Sequence, residues 1–330
     1  MTQSHPVTLQ IGLSPTDYRM APLLLRHQLR QWHNQFDEIL ITLDSHKSSG
    51  RFSDNWDHGK DIMVALLDEL SQEHPKIIWR WIDYSQETVE AIAQTYFGIS
   101  HIPAKDHRGG PFYTYFFGLA QATHDWVFHT DADIFFGGGS QTWVKEAIQL
   151  MQNDPSIVFS SPLPGPPSLC GELRSQISTP YSNATSLAFR FDGMSTRLFL
   201  TQKSRLVDKL TPFALPFPGW KPYLKALIEF NPRAELPEII VSQSMAKQSA
   251  LRVDFLGKPP GMWSLHPPYS SETIFKCIPQ LIEAIETGSL PQEQLGCHDI
   301  NDSLLDWSDA RQQLARKVWW KRLYNKLIKR

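Results

Sequence analysis

Asp131-Ala-Asp133 is the single D-x-D pair among the 330 residues. It closes the apolar run Trp126-Val-Phe-His-Thr130 and is followed by Ile134-Phe-Phe136 and then Gly137-Gly-Gly139. Two carboxylates one residue apart, where an apolar strand runs out, suit a hard divalent cation. Mg²⁺ or Mn²⁺ takes one or two such carboxylates and completes its shell with water and phosphate oxygens. A cation held there offsets the charge of a diphosphate, at rest and as it departs. The same three residues also read as a turn with solvated acids, so the surrounding elements have to decide.

Those elements alternate. Val7-Thr-Leu-Gln-Ile-Gly-Leu13 predicts a strand, and Ser14-Pro15 a turn, after which Asp17 would cap a helix running to His33. Glu38–Leu43 predicts a second strand ending at Asp44, and Lys76–Ile82 a third ending at Asp83. Trp126–Thr130 is the fourth, ending at Asp131, and Ile157–Ser160 the fifth. Helices are expected over 61–70, 87–97, 111–122 (with Pro111 at its first position) and 141–151. Strands joined through helices over short links imply a mostly parallel sheet flanked by helices, an α/β fold. Ligands of such sheets sit beyond the carboxyl ends of the strands. Asp44, Asp83 and Asp131 converge on that edge, although an acid there also serves as a turn former or helix cap.

Beyond Pro162 the pattern loosens. Proline-dense loops at 162–167 and 212–222 bracket a strand over 186–191, whose hairpin partner or a short helix lies at 195–200. A helix over 236–248, a strand over 252–256, Trp263-Ser-Leu-His266 and a helix over 311–330 complete the reading.

Composition narrows the classes. Hydrophobic residues make up 41% and the net charge is −2, which excludes a disordered polar chain and gives no basic excess for nucleic acid. Three scattered cysteines support neither a disulfide framework nor a zinc site and fit a reducing, cytosolic compartment. The apolar run 7–13 is too short for a signal-peptide core or a span, and proline breaks the uncharged stretch 155–171. An integral membrane protein is not expected.

With these residues in place, a resemblance emerges. Ile11-Gly-Leu-Ser-Pro-Thr-Asp17, a helix, and Glu38–Asp44 resemble the opening of GT-A-type glycosyltransferases, most nearly the large inverting family 2. Arg108-Gly-Gly-Pro111, a helix, and Trp126–Asp133 are similar to that family's glycine, helix and D-x-D succession; the likeness spans residues 7–161. It implies a Rossmann-like GT-A fold with a nucleotide-sugar half over 1–165, a mixed acceptor half over 166–300 and a C-terminal helix over 301–330. The implied activity is metal-dependent, inverting transfer of a hexosyl group from a UDP- or GDP-sugar to a glycan or lipid-linked hydroxyl.

Position by position, Pro15 and Thr16 match the first nucleotide-facing loop, with Asp17 where Asn or Arg often stands. Asp44 matches the acid that accepts from base or ribose, and Asp83 is a second candidate. Lys105 and Arg108 lie where a cation meets diphosphate. Asp131 matches the ribose and metal carboxylate, and Asp133 the direct metal ligand. Glu238 resembles the general base of inverting members, with Glu235 as its rival, since Pro237-Glu238 replaces the usual adjacent acids. His266 is similar to a late histidine that adds a metal or diphosphate contact, and its nitrogen suits Mn²⁺. His129 reads as a packed strand residue.

Arg311–Arg330 carries eight basic residues and no acid, interleaved with Val318, Trp319, Trp320, Leu323, Leu327 and Ile328. A basic helix with indoles reads either as an anchor on an anionic membrane surface, here the inner face, or as a helix packed on the body. Two rival readings of the whole remain. One is a catalytically silent GT-A-like binder at a membrane surface. The other is an aspartyl phosphatase, against which the three strands before the D-x-D motif and Ile134-Phe135 after it both count.

Overall fold

The computed structural model describes residues 5–47, 55–174 and 176–316. The basic segment 317–330, with most of the anticipated anchor, lies outside the described residues. Eleven strands and ten α-helices are assigned within them. Four parallel strands form the first half of the sheet: β1 (Val7–Leu13), β2 (Glu38–Leu43), β3 (Ile77–Trp81) and β4 (Trp126–Asp131). They lie in the order β3-β2-β1-β4. Alternation along β1 explains its place: Val7, Leu9, Ile11 and Leu13 enter one core. The intervening Thr8 and Gln10 are also buried, but on the opposite face.

Helices cover both faces. α1 (Ala21–Trp32), α2 (Trp56–Glu73) and, beyond β5 (Phe135–Gly137), α5 (Trp143–Asn153) pack on the face of Leu9 and Ile11. α3 (Gln86–Phe97) and α4 (Tyr113–Gln121) pack on the other, against Leu40 and Val127. The sheet then continues as a mixed one across the boundary expected at residue 165. It uses β6 (Ile157–Pro164), β7 (Thr179–Pro180), β8 (Ala188–Phe191), β9 (Leu198–Gln202) and β10 (Leu251–Phe255). α6 (Lys203–Leu210), α7 (Trp220–Glu229) and α8 (Pro237–Lys247) follow β9. β11 (Trp263–Leu265), α9 (Glu272–Thr287) and α10 (Ser308–Arg316) complete the chain.

Several expectations are corrected here. The helix expected over 17–33 is two elements, a 3₁₀ turn at Pro15–Arg19 and then α1. Ser14, not Asp17, is the cap, and Asp17 returns a bond to the Ser14 N–H at 2.7 Å. Pro111 does not start α4; it bridges Lys105 across a tight loop. Residues 198–202 do not pair with β8; β9 inserts antiparallel between β4 and β6.

Candidate active site

At the carboxyl ends of β1 and β4 lies a cavity of about 220 Å³ whose lining includes Thr16, Asp17, Asp44, Lys105, Tyr115, His129, Asp131 and Asp133. Each residue arrives by a local rule. The capping box at Ser14–Asp17 turns the chain sharply off β1, which holds Thr16 and Asp17 over the strand end. Asp44 is the residue after β2, where the parallel ladder ends. Asp106 accepts from the Arg108 and Gly110 N–H groups, and Gly109 supplies φ +77°, which closes the loop that carries Lys105. The Lys105 ammonium is buried and hydrogen-bonds Asp44, whose other oxygen accepts from the Tyr84 hydroxyl at 2.7 Å.

The D-x-D pair sits at the centre. Asp131 ends β4, held by its N–H bond to Arg197 O at 2.8 Å. β11 pairs antiparallel with β5, opposing Leu265 to Phe135, so His266 falls beside Asp133. His266 Nε2 lies 3.6 Å from Asp133 Oδ2, and Nδ1 lies 3.1 Å from Asp299 Oδ1. Burial disfavours the charged ring, yet the Asp133 and Asp299 carboxylates outweigh it and hold His266 up to about 9. Burial raises Asp131, with the Asp133 charge adding to it and His129 opposing. Asp133 is half-buried, and burial would raise it, but His266 holds it below the usual carboxylate range.

Asp17 belongs to the same cluster. Burial, then the charges of Asp133, Asp131 and Asp44, push it up to about 7 against the pull of the Ser14 N–H. Four carboxylates therefore share one cleft with the buried Lys105 ammonium, while the protonated His266 ring and the Arg197 charge act on Asp133 from its rim. The field there favours a cation.

The residues present fit a divalent ion. Asp133 Oδ1 is buried without a hydrogen-bond partner, a hard oxygen acceptor left open in an acidic cleft. His266 is oriented through its far nitrogen by Asp299, as outer-shell carboxylates orient metal-binding histidines. Among the described residues no three His, Cys, Asp or Glu side chains stand close enough to enclose an ion by themselves. An ion held here would need ligand oxygens from water or a bound phosphate.

The other anticipated residues divide. Pro15 is buried at the start of the 3₁₀ turn with its carbonyl against Gly59, and it is absent from the cavity lining. Glu238 is half-buried in the first turn of α8, and its charge reaches Tyr115 in the cleft wall. Glu235 is engaged elsewhere, accepting from the Leu236 N–H at 2.9 Å and facing His107 Nδ1 at 3.6 Å. Two further candidates are not brought in. Asp83 is exposed and accepts from Ser85 and Thr88, which fastens the start of α3. Arg108 is exposed and is absent from the cavity lining.

Sequence reasoning missed three neighbours of the pair. His129 stands two residues before Asp131 in β4, so both point to one face, a spacing that was readable. Gln10 donates to Thr42 at 3.0 Å, which leaves its oxygen for His129 Nδ1 and turns Nε2 towards Asp131 Oδ1, 3.4 Å away. Tyr115 and Arg197 carried no local signal. Arg197 is exposed, and its charge acts on Asp131, Asp133 and Asp299 together. A larger groove of about 550 Å³ lies at the opposite sheet edge, where Asp37 and Lys76 are occupied by backbone groups.

No protein-family model matches the chain, and no curated protein matches it. Among solved structures it is similar to the mannosyltransferase PcManGT from Pyrobaculum calidifontis in complex with GDP-Man and Mn²⁺. Identity is 13% and the TM-score 0.36, over 64% of this chain and 48% of that one. It is similar to S. aureus TarS 1-349 in complex with UDP-GlcNAc, at 9% identity and TM-score 0.41, over 84% of this chain and 65% of that one. It is also similar to the galactosyltransferase LgtC in complex with donor and acceptor sugar analogues. There identity is 10% and the TM-score 0.39, over 87% of this chain and 98% of that one. The chain thus spans about half of the first structure and just under two thirds of the second.

Proposed function

We propose that this chain is a metal-dependent glycosyltransferase of the GT-A type, moving a hexosyl group from a nucleotide-diphosphate sugar to a hydroxyl acceptor. The observation that carries the reading is the convergence of Asp17, Asp44, Asp131 and Asp133 on one cleft at the carboxyl edge of a sheet, with Asp133 Oδ1 unpartnered. Solvated turn acids would stand apart in water, whereas here Asp44 is buried and the other three are half-buried around the same cavity. Such a cluster suits a ligand that arrives with a divalent cation, and a nucleoside diphosphate does so.

Asp133 would hold Mn²⁺ or Mg²⁺ through its open Oδ1, with water and diphosphate oxygens completing the shell and Asp131 and His266 beside it. When bound, the ion offsets diphosphate charge as the leaving group departs. Asp44, positioned by Lys105 and Tyr84, accepts hydrogen bonds from the ribose or base, and Thr16 walls the nucleotide. Arg197 supplies a positive charge beside the pair for the diphosphate. Glu238 takes the acceptor hydroxyl proton while that oxygen bonds to the anomeric carbon and the bond to diphosphate breaks. Attack from the opposite face inverts the configuration.

In this reading residues 1–165 hold the donor, residues 166–300 shape the acceptor side, and the basic segment after 301 meets an inner-face membrane where the acceptor is lipid-linked. No helix among the described residues is long and apolar enough to cross a membrane. A screen of UDP- and GDP-sugars with Mn²⁺, reading nucleotide release, tests the activity. Release from at least one donor, lost on chelation, is expected. Binding without release for every donor would leave a silent binder instead.

A further inference from the structure

α7 presents its apolar stripe outward. Trp220, Leu224, Leu227 and Ile228 recur at i, i+4, i+7 and i+8, the spacing that normally faces a core. Here Ala226 is the one fully buried residue of the helix. Trp220 is 70% exposed, Leu224 48% and Leu227 41%, and the flanking Phe217 and Phe230 are 71% and 91% exposed. Single exposed apolar residues are ordinary, but a contiguous aromatic and aliphatic face marks an interaction surface.

Two features say what covers it. Lys221 and Lys225 line one edge of the stripe; Lys221 Nζ lies 5.4 Å from the Trp220 ring, and Lys225 pairs with Glu229 at 3.9 Å. Arg233 lies beyond the helix, over Tyr223 at 5.5 Å. Long basic side chains beside an indole place their stems along apolar matter and their charges at a polar boundary. Phe230 also holds φ +56°, a left-handed backbone that a bulky residue rarely adopts, and its ring is thrown outward at the helix end. Indole, phenyl and leucine below a row of lysines fit an interface whose depth is apolar and whose boundary is anionic.

We propose that α7, with Phe217 and Phe230, lies in the interface of an anionic lipid bilayer. The site is distinct from the basic segment 317–330 and does not depend on the sugar-transfer reading of the cleft. It has a consequence for access. Phe230, Asn231 and Pro232 border a cavity of about 590 Å³ that shares Lys105 with the acidic cleft. A bilayer seated on α7 would lie at the mouth of that cavity.

The test uses the full chain and vesicles of phosphatidylcholine, with or without 30% phosphatidylglycerol, read by co-sedimentation. Wild type should pellet with the anionic vesicles, and more weakly with the neutral ones. Leu224→Glu/Leu227→Glu, and separately Phe230→Ser, should lower partitioning about tenfold or more with unchanged circular dichroism. The α7 substitutions should lower partitioning by the same factor in a Lys321→Gln/Arg322→Gln background, which weakens any separate contribution of the basic segment. Equal pelleting of wild type and both α7 variants would overturn the proposal. So would dimers in light scattering that the Glu pair dissolves, because a second copy would then cover the face.

Discussion

Asp17→Asn should stabilise the protein at pH 8 and leave it unchanged at pH 4. The carboxyl is pushed from 3.8 to about 7 by burial and by three neighbouring carboxylates, Asp133, Asp131 and Asp44. The folded state therefore keeps a proton that the unfolded chain has lost, and stability declines as pH rises from about 4 to 7. Below that window both states are protonated and the residue contributes nothing; above it the full cost stands. Three units correspond to about 4 kcal/mol at ~1.4 kcal/mol each. The side chain is half-buried, so solvent screening reduces the expected gain to about 2 kcal/mol. Asparagine keeps the turn, since its oxygen can accept from the Ser14 N–H as Asp17 does at 2.7 Å. Guanidinium unfolding at pH 4 and pH 8, with m-values compared, reads the difference directly. A gain of equal size at both pH values, or a loss at both, would refute the electrostatic account of the cleft.

Other consequences follow from particular contacts. Gly59→Ala would place a Cβ 2.0 Å from the Pro15 carbonyl oxygen, with backbone on the far side. Overpacking of about 1–3 kcal/mol, at the upper end here, should exceed the ~1 kcal/mol that alanine gains in a helix. Tm should drop, and nucleotide affinity with it, because the displaced turn carries Thr16 and Asp17. Glu238→Gln should slow transfer by about 10²–10⁴-fold while donor affinity stays within about twofold, as removal of a base requires. Equal loss in Glu235→Gln alone, with Glu238→Gln active, would reassign the base. Arg197→Ala should weaken nucleotide-diphosphate binding and leave nucleoside binding unchanged, measured by titration with UDP and uridine.

Much of the architecture of the first half was legible because its signals are local. β1, β2, β3 and β4 are short apolar runs closed by polar residues, and parallel pairing through helices leaves few alternatives for their edge. Asp131 and Asp133 were found because the motif lies in contiguous sequence. What failed to show was non-local. β9 enters between β4 and β6 from nearly seventy residues downstream of β4, and nothing in Leu198–Gln202 names that partner. β5 has only three residues, yet its pairing with β11 is what sets His266 beside Asp133. α9, which Ser271 caps and which carries Pro279 inside it, was not anticipated at all. Asp83 and Asp44 look alike in sequence, each closing a strand. The hydroxyls of Ser85 and Thr88 claim the first, and the Lys105 ammonium and Tyr84 hydroxyl hold the second in the cleft.

The central claim is that the carboxylates at 131 and 133 bring a divalent cation and a nucleoside diphosphate together. Calorimetric titration of UDP and GDP into the full chain, with Mn²⁺ and with chelator, measures this directly. The account predicts at least tenfold tighter binding with Mn²⁺ for one of the two nucleotides, abolished in Asp133→Asn. Affinity indifferent to the metal, or unchanged in that variant, would contradict it.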